Sequence, residues 1–413
     1  MTEDNQSGWI TTTVGDLAQV KGGKRLPPGY KLQEQPTPFP YVRVTDMYNG
    51  GVREVDIRYV PAAAAQAIQN YRVRSDDIFI SVAGTLGIVG RVSKRLDGAN
   101  LTENADRLTG IKCDVDYLMQ YLLSEPLQAE IDSIRTVGAQ PKLALGRIKS
   151  FEVSLPTSMS EQARVSLALR DTDALTSFLE RLIAKKQAIK EGMMQQLLTG
   201  KIRLSGFSGE WVAVAAGDIA SFRGGSGFPI RYQARKSGAY PFFKVSDMNN
   251  EGNELFMRRA NNYISADTRK LIGAVVMPRD AIVFAKVGAA VFLERKRILG
   301  QVSCIDNNMA AMTIDPSRAD VRFVHYLLMN FSMSSLVSTT ALPSLNGGQL
   351  RSIPVRLPSE IAEQRAIADL LADADAELDL LQGQLSKARL VKQGMMQELL
   401  TGRIRLDTAK ATV

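Results

Sequence analysis

The chain has 413 residues, 45% of them hydrophobic, and carries 51 Lys and Arg against 43 Asp and Glu, for a formal charge of +8 and a pI near 9.4. This is ample apolar material for two or more folded cores and excludes a disordered chain, while the basic surplus points to a polyanionic partner, either nucleic acid or a membrane surface. There is no run of 18 apolar residues, and MTEDNQSGW at the start has neither a basic nor an apolar leader, so neither a spanning helix nor a secretory signal is expected and the cytoplasm is the expected compartment.

From Trp9 to Pro156, short apolar or alternating runs such as PYVRV, DIFISV and FEVSL lie between clusters of Gly, Pro, Asn and Asp, the pattern of a β-rich domain with few helices. TVGDL predicts a short helical turn ending at the paired glycines Gly22 and Gly23, and Tyr117 to Ile134 predicts one longer helix. After Leu155-Pro156 the pattern turns helical, with Glu161-Gln162 in the first turn, where negative charge suits the helix dipole. The 38 residues from Glu161 to Leu198 would make roughly 57 Å of helix, ended by Gly200 in a left-handed conformation.

The layout then repeats. GMMQQLLTGKIRL (Gly192 to Leu204) returns as GMMQELLTGRIRL (Gly394 to Leu406) with 11 of 13 residues identical, an offset of 202. At that offset Trp9 falls on Trp211, Gly22-Gly23 on Gly224-Gly225, Leu155-Pro156 on Leu357-Pro358 and Glu161-Gln162 on Glu363-Gln364. AAGDI matches TVGDL, Val321 to Val337 matches the longer helix, and a second long helix runs to Thr401-Gly402. The whole chain is a tandem duplication, divided as a first domain (1–156), a helical spacer (157–204), a second domain (205–358), and a second helical segment with its tail (359–413). The fold class expected is α+β.

Apolar residues follow a near-heptad course at Leu175, Phe178, Leu182, Ile189 and Met193, and at Ile367, Ala374, Leu378, Leu381, Leu385, Ala388 and Met395. The two helices should therefore pair as an antiparallel coiled coil about a pseudo-twofold axis, with the globular domains at opposite ends. Met193, Met194, Leu197 and Leu198, and Met395, Met396, Leu399 and Leu400, cover a wider arc than one seam buries and are the candidate surface for two copies of a partner protein.

On these features the chain resembles the specificity subunit of Type I restriction-modification enzymes, the HsdS family. The resemblance rests on LPTSMSEQ and LPSEIAEQR at the helix starts and on the two GMMQ-LLTG-IRL closings, and spans essentially the whole chain. It implies a non-catalytic subunit that binds double-stranded DNA, with each globular domain reading half of a bipartite, asymmetric target. It also implies two modification (methyltransferase) subunits and, in the full nuclease, restriction subunits. S-adenosylmethionine, ATP and Mg would be bound by those partners, with no cofactor and no metal in this chain.

Phosphate contacts need Lys and Arg, and base edges favour Arg, Lys, Asn, Gln, Ser and Thr. The first domain offers Lys21, Lys24 and Arg25 beside the glycines, Arg43 and Thr45 in VRVTD, Arg91, Lys94 and Arg95, and Gln140 and Lys142 in GAQPKL. The second offers Arg223, Lys244, Ser246, Lys286, Arg295, Lys296, Arg297, Ser344 and Asn346. The lone histidine, His325, sits in the apolar run FVHYLLM and reads as a core residue, which excludes a histidine-based zinc site; no GxxxxGK(S/T) loop is present, and Cys113 and Cys304 read as core thiols. Two other classes remain to be weighed against a specificity subunit: a divergent DNA-acting enzyme and a coiled-coil scaffold without DNA readout.

Overall fold

The computed structural model describes residues 8–135, 141–337 and 343–406. Contacts divide the chain into two units, the first comprising 1–181 with 382–413 and the second 182–381. Each unit thus contains one globular domain, the start of the long helix that follows it, and the closing part of the other long helix.

In the first unit Trp9–Thr13 pairs antiparallel with Glu152–Pro156, joining Trp9 to Pro156 and so tying the start of the domain to the Leu-Pro step. Two four-stranded sheets fill the domain, in the orders 19–22, 105–109, 78–81, 89–90 and 58–59, 40–42, 99–101, 72–73. Strand alternation decides which core each side chain enters. Ile78 and Ile80 join a core with Leu108, Tyr117 and Phe151, whereas Phe79 between them joins a second core with Val42, Val73 and Leu101.

The second unit repeats this design. Trp211–Ala215 pairs with Pro354–Pro358, and the sheets run 220–224, 309–314, 282–285, 296–299, 256–257 and 263–264, 240–243, 303–305, 276–277. Ile282 and Phe284 enter one core and Val283 the other, as in the first unit. The expected α+β class holds in both. Both cysteines and His325 are buried, and burial raises each thiol to about 11 and lowers the imidazole to about 4.

Helix expectations need correction in two places. Tyr117 to Ile134 is two helices, Val115–Leu122 and Glu125–Arg135, because Pro126 has no N–H to continue a helix and fits only a first turn. The matching segment is the helix Val321–Met329 followed by a separate turn, Met333–Leu336. The Glu294 carboxylate accepts from the Met333 and Ser334 amides and holds that turn in place.

The long helices are Met159–Leu197 and Ile361–Leu399, 39 residues each, and Gly200 and Gly402 follow them at φ 69° and 70°, as the sequence predicts. In the first unit Arg405, Lys392 and Arg389 pair with Glu161, Asp173 and Glu180 respectively. In the second Lys186, Lys190 and Arg203 pair with Glu377, Asp375 and Glu363. Numbers fall along one helix as they rise along the other, so the pairing within each unit is antiparallel. Arg405–Glu161 and Arg203–Glu363 are the same contact made once in each unit, as are Lys392–Asp173 and Lys190–Asp375. Along the long helices Val165, Leu169 and Leu179 are buried in the first unit and Ile367, Ala368, Leu371, Leu378 and Leu381 in the second, and of these Val165, Leu169, Ile367, Ala368 and Leu371 join the domain cores. Leu175, Phe178 and Ile189, expected on the seam, are exposed; ion pairs between the helices take much of the contact that apolar packing was expected to make.

The repeated closing motif follows from this arrangement. Gln162 donates to the Pro156 carbonyl and accepts from the amide of Asp114, whose own carboxylate caps the helix that begins at Val115. Gln364 does the same with Pro358 and Asp320. Glu161 and Glu363 are then forked by Arg405 and Arg203, the arginines of the two IRL closings. Each closing motif must therefore fit the other repeat's Glu-Gln step, and near-identity of the two copies is the result. Leu399 and Leu400 lie in the first unit's core and Leu197 and Leu198 in the second's, so these four leucines are not a partner surface as expected. Met395, Met396, Met193 and Met194 are half-buried against the same cores.

Candidate nucleic-acid interface

Strand 19–22 ends at paired glycines because the chain beyond it passes against neighbouring backbone. A Cβ on Gly23 would sit 2.0 Å from the Thr102 carbonyl oxygen, and one on Gly225 1.8 Å from that of Asp306. This close approach places Lys24 and Arg25 at the rim of an open cleft of about 580 Å³, with Lys142 and Leu145 on another side and Glu103 and Asp106 within it. Arg25 is 76% exposed although its Nε lies 3.0 Å from Glu103. Asp106 is 4% exposed; burial lifts its carboxyl to about 6 against the opposing pull of Lys142. Lys24 and Arg25 thus converge with Lys142, which is far from them in sequence, and Lys21 is exposed on the strand leading to them.

Other candidates in this domain are placed differently. Arg43 is forked onto Asp46 and donates to the Asp56 carbonyl, with its pKa raised by the Asp46 bond, so it holds a turn; Thr45 in that turn is exposed. Arg91 bridges the Ser75 carbonyl and Asp116. Lys94 and Arg95 are exposed on a short turn, Arg95 being 3.6 Å from Glu54. Gln140 lies outside the described residues.

The matching face of the second unit brings together Lys286, Ser344 and Asn346. Lys286 accepts from the Leu345 amide, Val287 bridges to Ser344, and the Lys286 ammonium nitrogen lies 2.8 Å from where a Gly224 Cβ would stand. Ser344 is exposed, and Asn346 uses its side-chain oxygen to cap the helix Gly347–Arg351. Arg223 is exposed on strand 220–224 and Ser246 on its turn, while Lys244 is half-buried and donates to Gln233. Lys296 is a correction: it is 1% exposed, and its ammonium is held by Glu294 and the Phe331 carbonyl. Burial pushes Glu294 up, but Lys296 and two backbone donors outweigh this and bring it to about 2. Arg295 and Arg297 are half-buried beside it, and burial, with Arg295 near, lowers the Arg297 pKa.

Sequence reasoning missed Asp106. Its signal is an acidic residue in the strand ADRLT where the repeat has the apolar MAAMTI, after the matching asparagines Asn104 and Asn308. Also missed were Arg231, Arg235 and Lys236, exposed after the second pair of glycines.

Two units of one framework, the first with a basic cleft beside its glycine pair and the second with Arg223 and Lys286 beside its own, define a duplicated protein with a basic face in each half. The chain belongs to the Type I restriction modification DNA specificity domain family, whose model matches residues 6–191 and 208–389. It is similar to a candidate MjaX type I restriction enzyme specificity subunit of Methanocaldococcus jannaschii, at 23% identity over 90% of this chain and 88% of that one. The MjaVIII specificity subunit of the same organism is 21% identical over 62% and 63% of the two chains. In fold it is similar to the crystal structure of the Type I restriction-modification S subunit from M. genitalium, with a TM-score of 0.62, 16% identity and 99% of each chain covered.

Proposed function

We propose that this chain is the DNA-specificity subunit of a Type I restriction-modification complex, in which the domains at 1–156 and 205–358 each read one half of a bipartite, asymmetric duplex target. The observation that carries this reading is the contrast between framework and cleft. Glycine pair, Glu-Gln step and arginine fork recur in both units, while the side chains beside the glycine pairs differ. Identical heads would suit a palindrome, whereas unlike heads on a common frame suit two different half-sites.

Lys24, Arg25 and Lys142 supply phosphate contacts at the first cleft, and Arg223 supplies them beside the second glycine pair. The paired long helices fix the unread gap. The family match supports a specificity role for this chain; in this reading methyl transfer and cleavage, with S-adenosylmethionine, ATP and Mg, fall to two modification subunits and to restriction subunits. Because the leucines of the closing motif are buried, docking on the helices falls to repeat-related exposed residues, Phe178 and Val391 in the first unit and Leu380 and Ile189 in the second. Co-purification with modification subunits, followed by genome-wide mapping of methylated adenine, tests the proposal. A split motif with one fixed gap supports it; a purified chain that cuts or methylates alone, or a complex that shows no salt-dependent DNA retention, overturns it.

A further inference from the structure

The two glycine-pair faces differ in charge at equivalent places. Gly22 lies opposite Asp106 across its strand pair, and Gly224 lies opposite Ala310. The Val82 amide donates to the Asn104 carbonyl, and the Val82 carbonyl accepts from the Leu143 amide; Lys286 makes the same two bonds with Asn308 and Leu345. Asp106 therefore corresponds to Ala310, and Val82 to Lys286. Where the first face carries a carboxylate beside its glycine, the second carries an ammonium group, and each partner position is apolar. The glycine opposite each site has no side chain to cover it.

Asp106 stands apart from the other carboxylates around it. It is 4% exposed and lines the cleft, yet it accepts no hydrogen bond from any described residue. A desolvated carboxylate without a donor is costly, and a donor on the ligand removes that cost. A phosphate cannot be that ligand, because like charges repel. A base edge can, and the surrounding Lys24, Arg25 and Lys142 provide the positive rim that brings a phosphate backbone near enough. Lys286 has the complementary chemistry: its ammonium donates only and needs an acceptor.

Resting on the function proposed above, we infer that Asp106 and Lys286 are the specificity-determining residues beside the two glycine pairs. Asp106 reads an exocyclic amino group, that of cytosine N4, and Lys286 reads the O6 and N7 acceptors of guanine, both in the major groove. The two heads differ at this position by an inversion of charge on one backbone frame. Neither residue needs a change of fold to alter what is read, so half-site preference at these base pairs can change by substitution at 82, 106, 286 and 310 alone.

The test is selection from a randomised duplex library by the full chain co-purified with its modification subunits, comparing wild type with D106A, D106N and K286M. D106A is expected to lose preference at one base pair of one half-site by about tenfold, with the other half-site unchanged. D106N keeps the shape, gains an amide and is expected to shift that base pair towards adenine. K286M is expected to lose guanine preference at one position of the other half-site. Thermal unfolding of each variant separates lost readout from lost folding, and D106N, nearly isosteric, carries the test should D106A unfold. Folded variants with wild-type preference at every position overturn the inference while leaving the function intact. A wild-type complex that selects no split sequence overturns the function and the inference with it.

Discussion

Glu363→Ala removes the acceptor for Arg203, and the structure sets the size of the effect. Glu363 is fully buried, whereas the Arg203 side chain is 27% exposed and forks onto both carboxylate oxygens, with Nη2 2.6 Å from Oε2. Breaking a wholly buried ion pair costs about 3–5 kcal/mol, because the remaining charge is left without a partner. Water can reach part of the guanidinium, so the expected loss here is about 2–3 kcal/mol. For a unit the size of 182–381, that corresponds to a fall in Tm of about 4–12 °C. Glu161→Ala is the same change in the first unit, but the Arg405 side chain is 47% exposed, so the loss should be smaller. Differential scanning calorimetry of both variants checks the size and the order. A loss under about 0.5 kcal/mol for Glu363→Ala, or a larger loss for Glu161→Ala, would refute the view that the closing motifs are kept alike by their internal fit.

Four further outcomes are expected. Gly23→Ala forces a Cβ to within 2.0 Å of the Thr102 carbonyl oxygen, so the first domain should lose about 3 kcal/mol or fail to fold; chemical denaturation with near-wild-type stability would contradict this. Lys142→Ala should weaken DNA binding similarly for all sequences and reduce the salt slope by about 1, which fluorescence anisotropy at several salt concentrations would read. Asp106 titrates near 6 in the fold against 3.8 ordinarily, so its ionisation opposes folding: its favourable contribution is complete below 3.8 and is lost as pH rises through 6. Asp106→Asn should therefore exceed wild type in stability by about 1 kcal/mol at pH 8, after discounting for solvent in the open cleft, with a smaller gain at pH 5; urea melts giving equal differences at both values would contradict the assignment. A heptad inserted in both long helices should lengthen the accepted gap, whereas insertion between Ala168 and Ile189 alone should misalign Asp173 with Lys392 and weaken folding, as gap-series binding and melting would show.

Much of this was legible in the sequence because it depends on local rules. Repeat offset, strand alternation, the uninterrupted helices and their closing glycines need only near neighbours to be read. What escaped depends on contacts between distant segments. Leu197, Leu198, Leu399 and Leu400 read as surplus apolar surface because nothing nearby in the chain shows the core that receives each pair. Leu175, Phe178 and Ile189 fit a heptad on paper, but the Lys and Asp residues of the helix pair take that contact instead. Lys296 was a local signal overlooked: Glu294, two residues earlier, offers it a partner. Of the cleft, Lys24, Arg25 and Lys142 could be named from residue type, but their convergence could not. Asp106 needed the strand register, which alone sets it opposite Gly22.

The central proposal is that one doubled chain reads two unlike half-sites separated by one gap. The most direct measurement is the sequence selected from a randomised duplex library by the full chain with its modification subunits. Two different half-sites, separated by one gap length and lost together as salt rises, are predicted. A palindrome, a single contiguous site or a freely varying gap would contradict the claim.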